Sequence, residues 1–302
     1  MSAQQSQSTN ATKLVKKLVL KGILKVKTGL HIGAGRDAAK IGGLDNPVIR
    51  AALRDNQPYI PGSSLKGKIR SLLELVEGVN CLENNHNTNG NCKICKIFGG
   101  SAANKQNHAS RVIFRDAYLT SESAELLKNA DLDYPYTETK TETAIDRILG
   151  NAKKGTLRET ERIPAGTEFC VEIVVNVMKG QNEPTDKELK EKLALGVRLL
   201  NSDYLGGSGS RGYGQVEIKF YDVDVVFVNP NSRDKNEQNA EDNRKNGDQI
   251  ESQESKSPEN KPAVSDDKTE EEIKKETRDL WRSALEDAGL WIDSEKDKCN
   301  EN

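Results

Sequence analysis

The sequence is poor in the residues that build large cores and membrane spans. Hydrophobic residues make up 34% of its 302 positions and aromatics 5%, against 30% charged residues. Mean hydropathy is −0.73. Those values are low for one compact domain and predict that part of the chain stays unfolded. No run of 18 apolar residues exists, so no membrane span is indicated. Residues 1–12 are polar and Gln/Ser-rich with no apolar stretch, so they read as a disordered leader and not as a signal peptide. Cysteines are few and odd in number: Cys81, Cys92, Cys95, Cys170 and Cys299. Three of them fall within 15 residues, which a cytoplasmic protein with a metal site explains better than a disulfide framework. An excess of charge of one sign is also missing, since the formal net charge is −2. The charge is uneven, however: the first 75 residues are rich in Lys and Arg and the end beyond Asn229 in Asp and Glu, so a near-neutral total can hide a basic working surface.

Glycine is plentiful and grouped. Between Gly206 and Gly214 five glycines fall in nine positions, around Arg211 and Tyr213. Such a loop turns N–H groups toward an anion, Arg211 offers a fork of donors to a phosphate, and Tyr213 offers a face to a base. The plainer alternative is a flexible connector. A second glycine-punctuated loop, Gly29 to Asp37, carries His31, Arg36 and Asp37. His31 and Asp37 are acid–base apparatus or Mg²⁺ ligands on one reading, and packed or RNA-contacting residues on another.

Between the loops the pattern alternates in type. Leu18 to Thr28 has the period of a strand, with a mostly basic second face. Leu65, Ile69, Leu72, Leu73 and Val76 form a helical stripe, with Ser63 or Ser64 as N-cap and Lys66, Lys68 and Arg70 in its first two turns. Cations beside free N–H groups look like a phosphate site, with a solvated face as the alternative. Phe169 to Val177 alternates as a strand, Thr185-x-x-Glu188 caps a helix, and Val216, Ile218 and Phe220 mark another strand. The order predicts an α+β, RRM/ferredoxin-like βαββαβ unit over residues 13–228 with large insertions. Residues 229–270 read as a disordered linker, 271–291 as an appended amphipathic helix, and 292–302 as a disordered tail.

Cys81-x4-His86-x5-Cys92-x2-Cys95 supplies four soft ligands in one loop, a pattern that fits closed, structural Zn²⁺; unmetallated thiols are the alternative. Glu138 and Glu142, with Arg147 behind them, read from composition alone as a solvated charged segment.

Several stretches taken together resemble one family. They are Gly43-Leu-Asp45-Asn-Pro47-Val-Ile49, Tyr59-Ile-Pro61-Gly-Ser63-Ser-Leu65-Lys-Gly67-Lys, Cys92-x-x-Cys95-x-x-Phe98-Gly99, Glu161-Arg-Ile-Pro164-Ala-Gly166 and Gly209-x-Arg211-Gly-Tyr213-Gly. They look like the repeating backbone subunits of type III-A (Csm) CRISPR effector complexes, which are RAMP-superfamily proteins. The resemblance spans roughly residues 14–228 and implies an RRM-like core with a β-hairpin thumb, here about residues 135–162. It implies copies of the chain lined along a guide crRNA beside the other subunits of the complex. It implies cleavage of paired target RNA at six-nucleotide intervals, by a loop aspartate that requires Mg²⁺ or Mn²⁺. Carried over, that aspartate is Asp37, and Glu138, Glu142 and Arg147 match a segment beside the target strand. Ser63, Ser64, Lys66, Lys68 and Arg211 match guide-backbone contacts. Arg50, Arg70, Glu138, Gly209, Gly212 and Tyr213 belong with the RNA-binding set, and Glu142, Arg147 and His31 join Asp37 in the catalytic one. The rival readings are a non-catalytic RNA scaffold of the same fold, a guide-precursor-processing endonuclease with His31 as general base, and the backbone subunit of the sister type III-B complex.

Overall fold

In the computed structural model, residues 12–35, 46–81, 92–100, 109–180, 183–228, 269–293 and 296–299 are described. Asp37, His86, most of the 229–270 segment and residues 1–11 lie outside them. The architecture is organised on β1 (Lys13–Val26), whose Leu18, Leu20, Leu24 and Val26 are fully buried. After the short pair β2 (Arg50–Ala51) and β3 (Gln57–Pro58) come helices α1 (Gly62–Glu77) and α2 (Lys93–Phe98). Strands β4 (Val112–Phe114) and β5 (Tyr118–Leu119) lead into helix α3 (Ser121–Asn129). Strands β6 (Glu138–Glu142) and β7 (Arg158–Arg162) form an antiparallel arm, within the segment expected to be a thumb. β8 (Glu168–Lys179), α4 (Asp186–Asn201), β9 (Val216–Phe227) and α5 (Glu270–Asp287) complete the order.

The main sheet runs β4-β8-β1-β9, with β5 also on β8, and β1 is antiparallel to both of its neighbours. Strands β1 and β8 are therefore central and β4 and β9 lie at the edges, which is the ferredoxin-like arrangement. Helices α1 and α4 cover one face. They approach closely at Gly196, where an added Cβ would stand 2.6 Å from Ile69 Cγ2. The capping box Thr185/Glu188 starts α4. α1 starts differently from expectation: neither Ser63 nor Ser64 caps it. Pro61 precedes the first turn, and Asp116 Oδ1 accepts the Gly62 N–H at 2.8 Å. Proline presets the entry dihedral, so a carboxylate from another segment replaces the local cap.

The opposite face of the sheet is open, and lysines on it, two in β1 and Lys27 just beyond its end, are neutralised. Lys21 pairs with Asp224 at 3.5 Å, Lys25 with Glu168 at 3.0 Å and Lys27 with Glu217 at 3.3 Å. The face that reads as basic along one strand is thus laced by acids on the flanking strands.

The end of the chain is held more firmly than a disordered tail would be. α5 buries Trp281 and Leu285 and leaves Leu280 exposed. Leu290 O accepts from Phe220 N–H at 2.7 Å and Ile292 N–H donates to Phe220 O at 2.9 Å, so residues 290–292 line the edge of β9. Residues 296–299 form a 3-10 turn, and Cys299 is bonded to Cys170 across a separation of 129 residues. Spacing cannot pair cysteines so far apart, which is why composition pointed only to a metal. Among the described residues no helix is long and apolar enough to cross a membrane.

Candidate functional site

The site is built where β1 ends. Leu30 exchanges backbone hydrogen bonds with Ile163, at 2.9 and 2.8 Å. Ile49 N–H then donates to Ile32 O at 2.9 Å and Ala34 N–H to Pro47 O at 3.0 Å. These bonds close a stem, so the 36–45 segment leaves and returns at one place. Asp37 belongs to that segment and is outside the described residues.

A buried carboxylate anchors the stem. Glu161 is 2% exposed and accepts from Val48 N–H at 2.7 Å, from Thr137 Oγ1 at 2.5 Å and from Arg50 Nη2. Its backbone oxygen lies 2.7 Å from His31 Nδ1. A carbonyl only accepts, so Nδ1 donates and Nε2 is left as the acceptor. Arg50 also donates to Asn56 O at 2.8 Å and Pro135 O at 3.0 Å, so it is a structural tie between β2 and the arm. His31, Arg50 and the root of the arm are thereby one unit. Glu161 carries it, yet sequence reasoning quoted this residue only inside a motif.

The glycine-rich loop rests on the same stem. Gly207 N–H donates to His31 O at 2.9 Å. Gly206 has φ +75° and lies so close to that carbonyl that a side chain would collide with it. Past the Gly209–Arg211 3-10 turn, Gly212 and Gly214 also have positive φ. The loop reaches α1 through Lys68, whose Nζ is 3.0 Å from Asp203 and 3.8 Å from the Tyr204 ring centroid. Gly209 packs against the Tyr204 ring.

Tyr213 does not present a face for stacking. It is 1% exposed, with Lys140 Nζ 4.5 Å and the Arg162 guanidinium 5.4 Å from its ring centroid. Beside it, Glu142 meets Arg158 at 3.1 Å, Lys140 at 3.5 Å and Arg211 Nε at 3.5 Å. Burial acts to raise the Glu142 carboxyl, but Arg158, the adjacent Tyr213 hydroxyl, Lys140 and Arg211 outweigh it and hold it below the usual carboxylate range. Burial, with the Glu142 charge, pushes the Tyr213 phenol up. Glu138 pairs across the arm with Arg162 at 2.7 Å. Arg147 stands apart, exposed in the turn beyond the Ile145–Ala152 bridge. Arg211 keeps half of its side chain in solvent and also donates to Ser208 Oγ at 2.5 Å.

The cations of α1 divide. Ser63 is exposed and Ser64 half-buried. Lys66 donates to Ser110 Oγ at 2.8 Å, and burial, with the Arg70 charge, lowers its pKa. Arg70 faces inward instead: it donates to Glu74 at 2.7 Å and Gly99 O at 3.1 Å, and Glu74 and the nearby Cys81 sulfur outweigh burial to raise its pKa. Arg70 therefore supports the cysteine cluster rather than an RNA surface.

Cys81, Cys92 and Cys95 are buried, with sulfurs within 4.8 Å of one another. Cys92 Sγ also caps α2, accepting from Cys95 N–H at 3.4 Å. Burial pushes the Cys81 and Cys95 thiols up, with further contributions among the three sulfurs. Three soft donors converging in an apolar setting fit a tetrahedral cation that takes thiolates. The fourth expected donor, His86, is outside the described residues.

Comparison with known proteins gives the family of the chain. The sequence profile of the RAMP superfamily matches residues 23–217. The chain is 44% identical over 240 residues to the CRISPR system Cms endoribonuclease Csm3 of Methanocaldococcus jannaschii, covering 78% of this chain and 90% of the relative. It is 37% identical over 214 residues to the protein of the same name from Streptococcus thermophilus, covering 71% and 92%. Among solved structures it is similar to a chain of the Csm3–Csm4 subcomplex of the type III-A CRISPR-Cas interference complex, at 34% identity and TM-score 0.44, covering 74% of this chain and 87% of that one. The chain belongs to the RAMP superfamily and, within it, to the Csm3 family.

Proposed function

We propose that this chain is the guide-RNA-binding backbone subunit of a type III-A CRISPR ribonucleoprotein in the cytoplasm, and that it cleaves target RNA at six-nucleotide intervals. The observation that carries the reading is the stem at Ile32–Ala34 and Pro47–Ile49, which lies against the glycine-rich loop and the root of the arm and from which the chain runs on toward Asp37. Homologues named as Csm3 endoribonucleases support it.

The chemistry asks for alignment more than for reactive side chains. Attack by a 2′-oxygen on the adjacent phosphorus needs the leaving oxygen in line, and leaves a 5′-hydroxyl. The arm, displacing one nucleotide in six, distorts the backbone at that step. Asp37 acts there either as a ligand or as the acceptor of the 2′-hydroxyl proton. Arg147, exposed on the arm, is free to meet the developing phosphate charge. A divalent cation, Mg²⁺ or Mn²⁺, supplies charge neutralisation when bound. Ser63, Ser64, Lys66, Lys68 and Arg211 hold the guide backbone. Cys81, Cys92 and Cys95, with His86, hold Zn²⁺ as a structural ion.

The test is to copurify the chain with its complex, sequence the bound RNA, and assay cleavage of the complement with and without Mg²⁺. Products stepping by six nucleotides are expected. Asp37→Ala abolishes cleavage and keeps guide binding; loss of guide binding in that variant would refute the assignment.

A further inference from the structure

We propose that Cys170 and Cys299 are a reversible redox pair that clasps and releases the end of the chain on the open face of the sheet. The inference stands apart from the RNA-cleavage reading.

The bond joins a central strand to a short terminal turn. Cys170 lies on β8 in register with Ile23 on β1 and Tyr118 on β5. Cys299 belongs to the 296–299 turn, which the bond holds over that row. Lys298 of the turn also forms ion pairs with Glu168 at 3.0 Å and Glu122 at 3.5 Å. Ion pairs of this kind hold a segment weakly. The chain just before it is held independently: Leu290 is 2% exposed, and residues 290–292 bond to Phe220. Opening the bond therefore frees the last residues and leaves α5 in place.

The surroundings favour exchange. The two cysteines line an open cavity of about 560 Å³, together with Lys21, Arg54, Arg115 and Tyr118. A small thiol can enter a space of that size. The cations face carboxylates as well, since Arg115 pairs with Glu172 at 2.5 Å and Lys21 with Asp224 at 3.5 Å. Arg54 instead lies 3.9 Å over the Tyr118 ring, and Lys298 adjoins Cys299 in sequence. Positive charge near a sulfur stabilises the thiolate that leaves when a disulfide is attacked. By contrast, Cys81, Cys92 and Cys95 are buried free thiols.

The step balances with a dithiol reductant or two molecules of glutathione. A reductant thiolate attacks one sulfur, the S–S bond breaks, and the other cysteine departs as a thiolate and takes a proton. A second reductant thiolate then attacks the mixed disulfide, so two electrons and two protons reach the pair and the reductant leaves as its disulfide.

The experiment uses the full chain, folded, in anaerobic buffers of reduced and oxidised glutathione. It reads the state of the Cys170 and Cys299 peptides by acid quench, alkylation and mass spectrometry, with hydrogen exchange in parallel. The pair is expected to convert between bonded and free forms inside the glutathione range. Exchange of the peptide carrying Cys299 should rise more than tenfold on reduction, while that of residues 285–292 stays constant. Cys299→Ser should exchange like the reduced form in every buffer. The proposal is overturned if no Cys170–Cys299 bond forms in any oxidising buffer, if the bond resists reduction until denaturant is added, or if exchange at the terminal peptide is equal in both states.

Discussion

Replacing Glu161 by alanine removes one side chain and strands three partners. Val48, 2% exposed, loses the acceptor of its N–H, and an unpaired buried donor costs about 1–3 kcal/mol. Arg50 loses its carboxylate, but its side chain is 23% exposed and keeps two backbone oxygens, so water and those acceptors offset much of the loss. Thr137 loses an acceptor at 2.5 Å. Breaking a fully buried ion pair costs about 3–5 kcal/mol, and the partial exposure of Arg50 places this variant at the lower end, about 3 kcal/mol. For a domain of this size that is a fall of roughly 6–12 °C in Tm. Denaturant titration and thermal melting measure it, and a double-mutant cycle with Arg50→Met isolates the pair, with a coupling above about 1 kcal/mol. Amide exchange at Val48 should accelerate more than exchange within β1, because the stem opens before the sheet. A loss below about 1 kcal/mol, or a coupling of zero, would refute the account of Glu161 as the anchor of the stem.

Other outcomes follow from separate features. Gly196→Ala should destabilise by about 1–2 kcal/mol in denaturant titration, because overpacking against Ile69 and Leu73 outweighs the better helix propensity of alanine; a more stable variant would contradict the close α1–α4 contact. The Glu188 carboxyl is lowered to about 2, chiefly by Lys93 and the Thr185 N–H. Its folded pKa is below the unfolded value, so its contribution is present above about pH 4.5 and is lost as pH falls toward 2; Glu188→Gln should lower stability at neutral pH and flatten the stability–pH curve in that window, so that the two proteins converge toward pH 2. A strong chelator should lower the Tm of metal-loaded protein by several degrees with release of zinc measurable by a dye, and Cys92→Ser should abolish both effects.

What was legible in the sequence was periodic. The alternation Leu18, Leu20, Leu24, Val26 marks β1, and the stripe Leu65, Ile69, Leu73 marks the buried side of α1, because each is dictated by local geometry. Thr185 and Glu188 could be paired on paper because they are three residues apart. Contacts between distant residues could not. Arg50 and Glu161 are separated by 111 positions, and His31 and Glu161 by 130. Asp116 displaced the serines as the cap of α1 from 54 positions away. Tyr213 looked available for stacking because glycines flank it, yet β6 and β7 close over its ring. Arg70 shares the cationic turns of α1 with Lys66 and Lys68, and only the position of Cys81 shows that it turns inward.

The lysines on the open face have a consequence for how a polyanion meets the molecule. Lys21, Lys25 and Lys27 are each matched by a carboxylate on a neighbouring strand, so the open side of the sheet presents alternating charge that cancels within a few ångströms. A strand of phosphates drifting toward that side is neither drawn in nor held. Arg147 is exposed on the arm, while Arg211 and Lys68 meet single carboxylates of their own, Glu142 at 3.5 Å and Asp203 at 3.0 Å. Lacing that face with carboxylates therefore restricts the directions of productive encounter for an incoming strand before any contact forms.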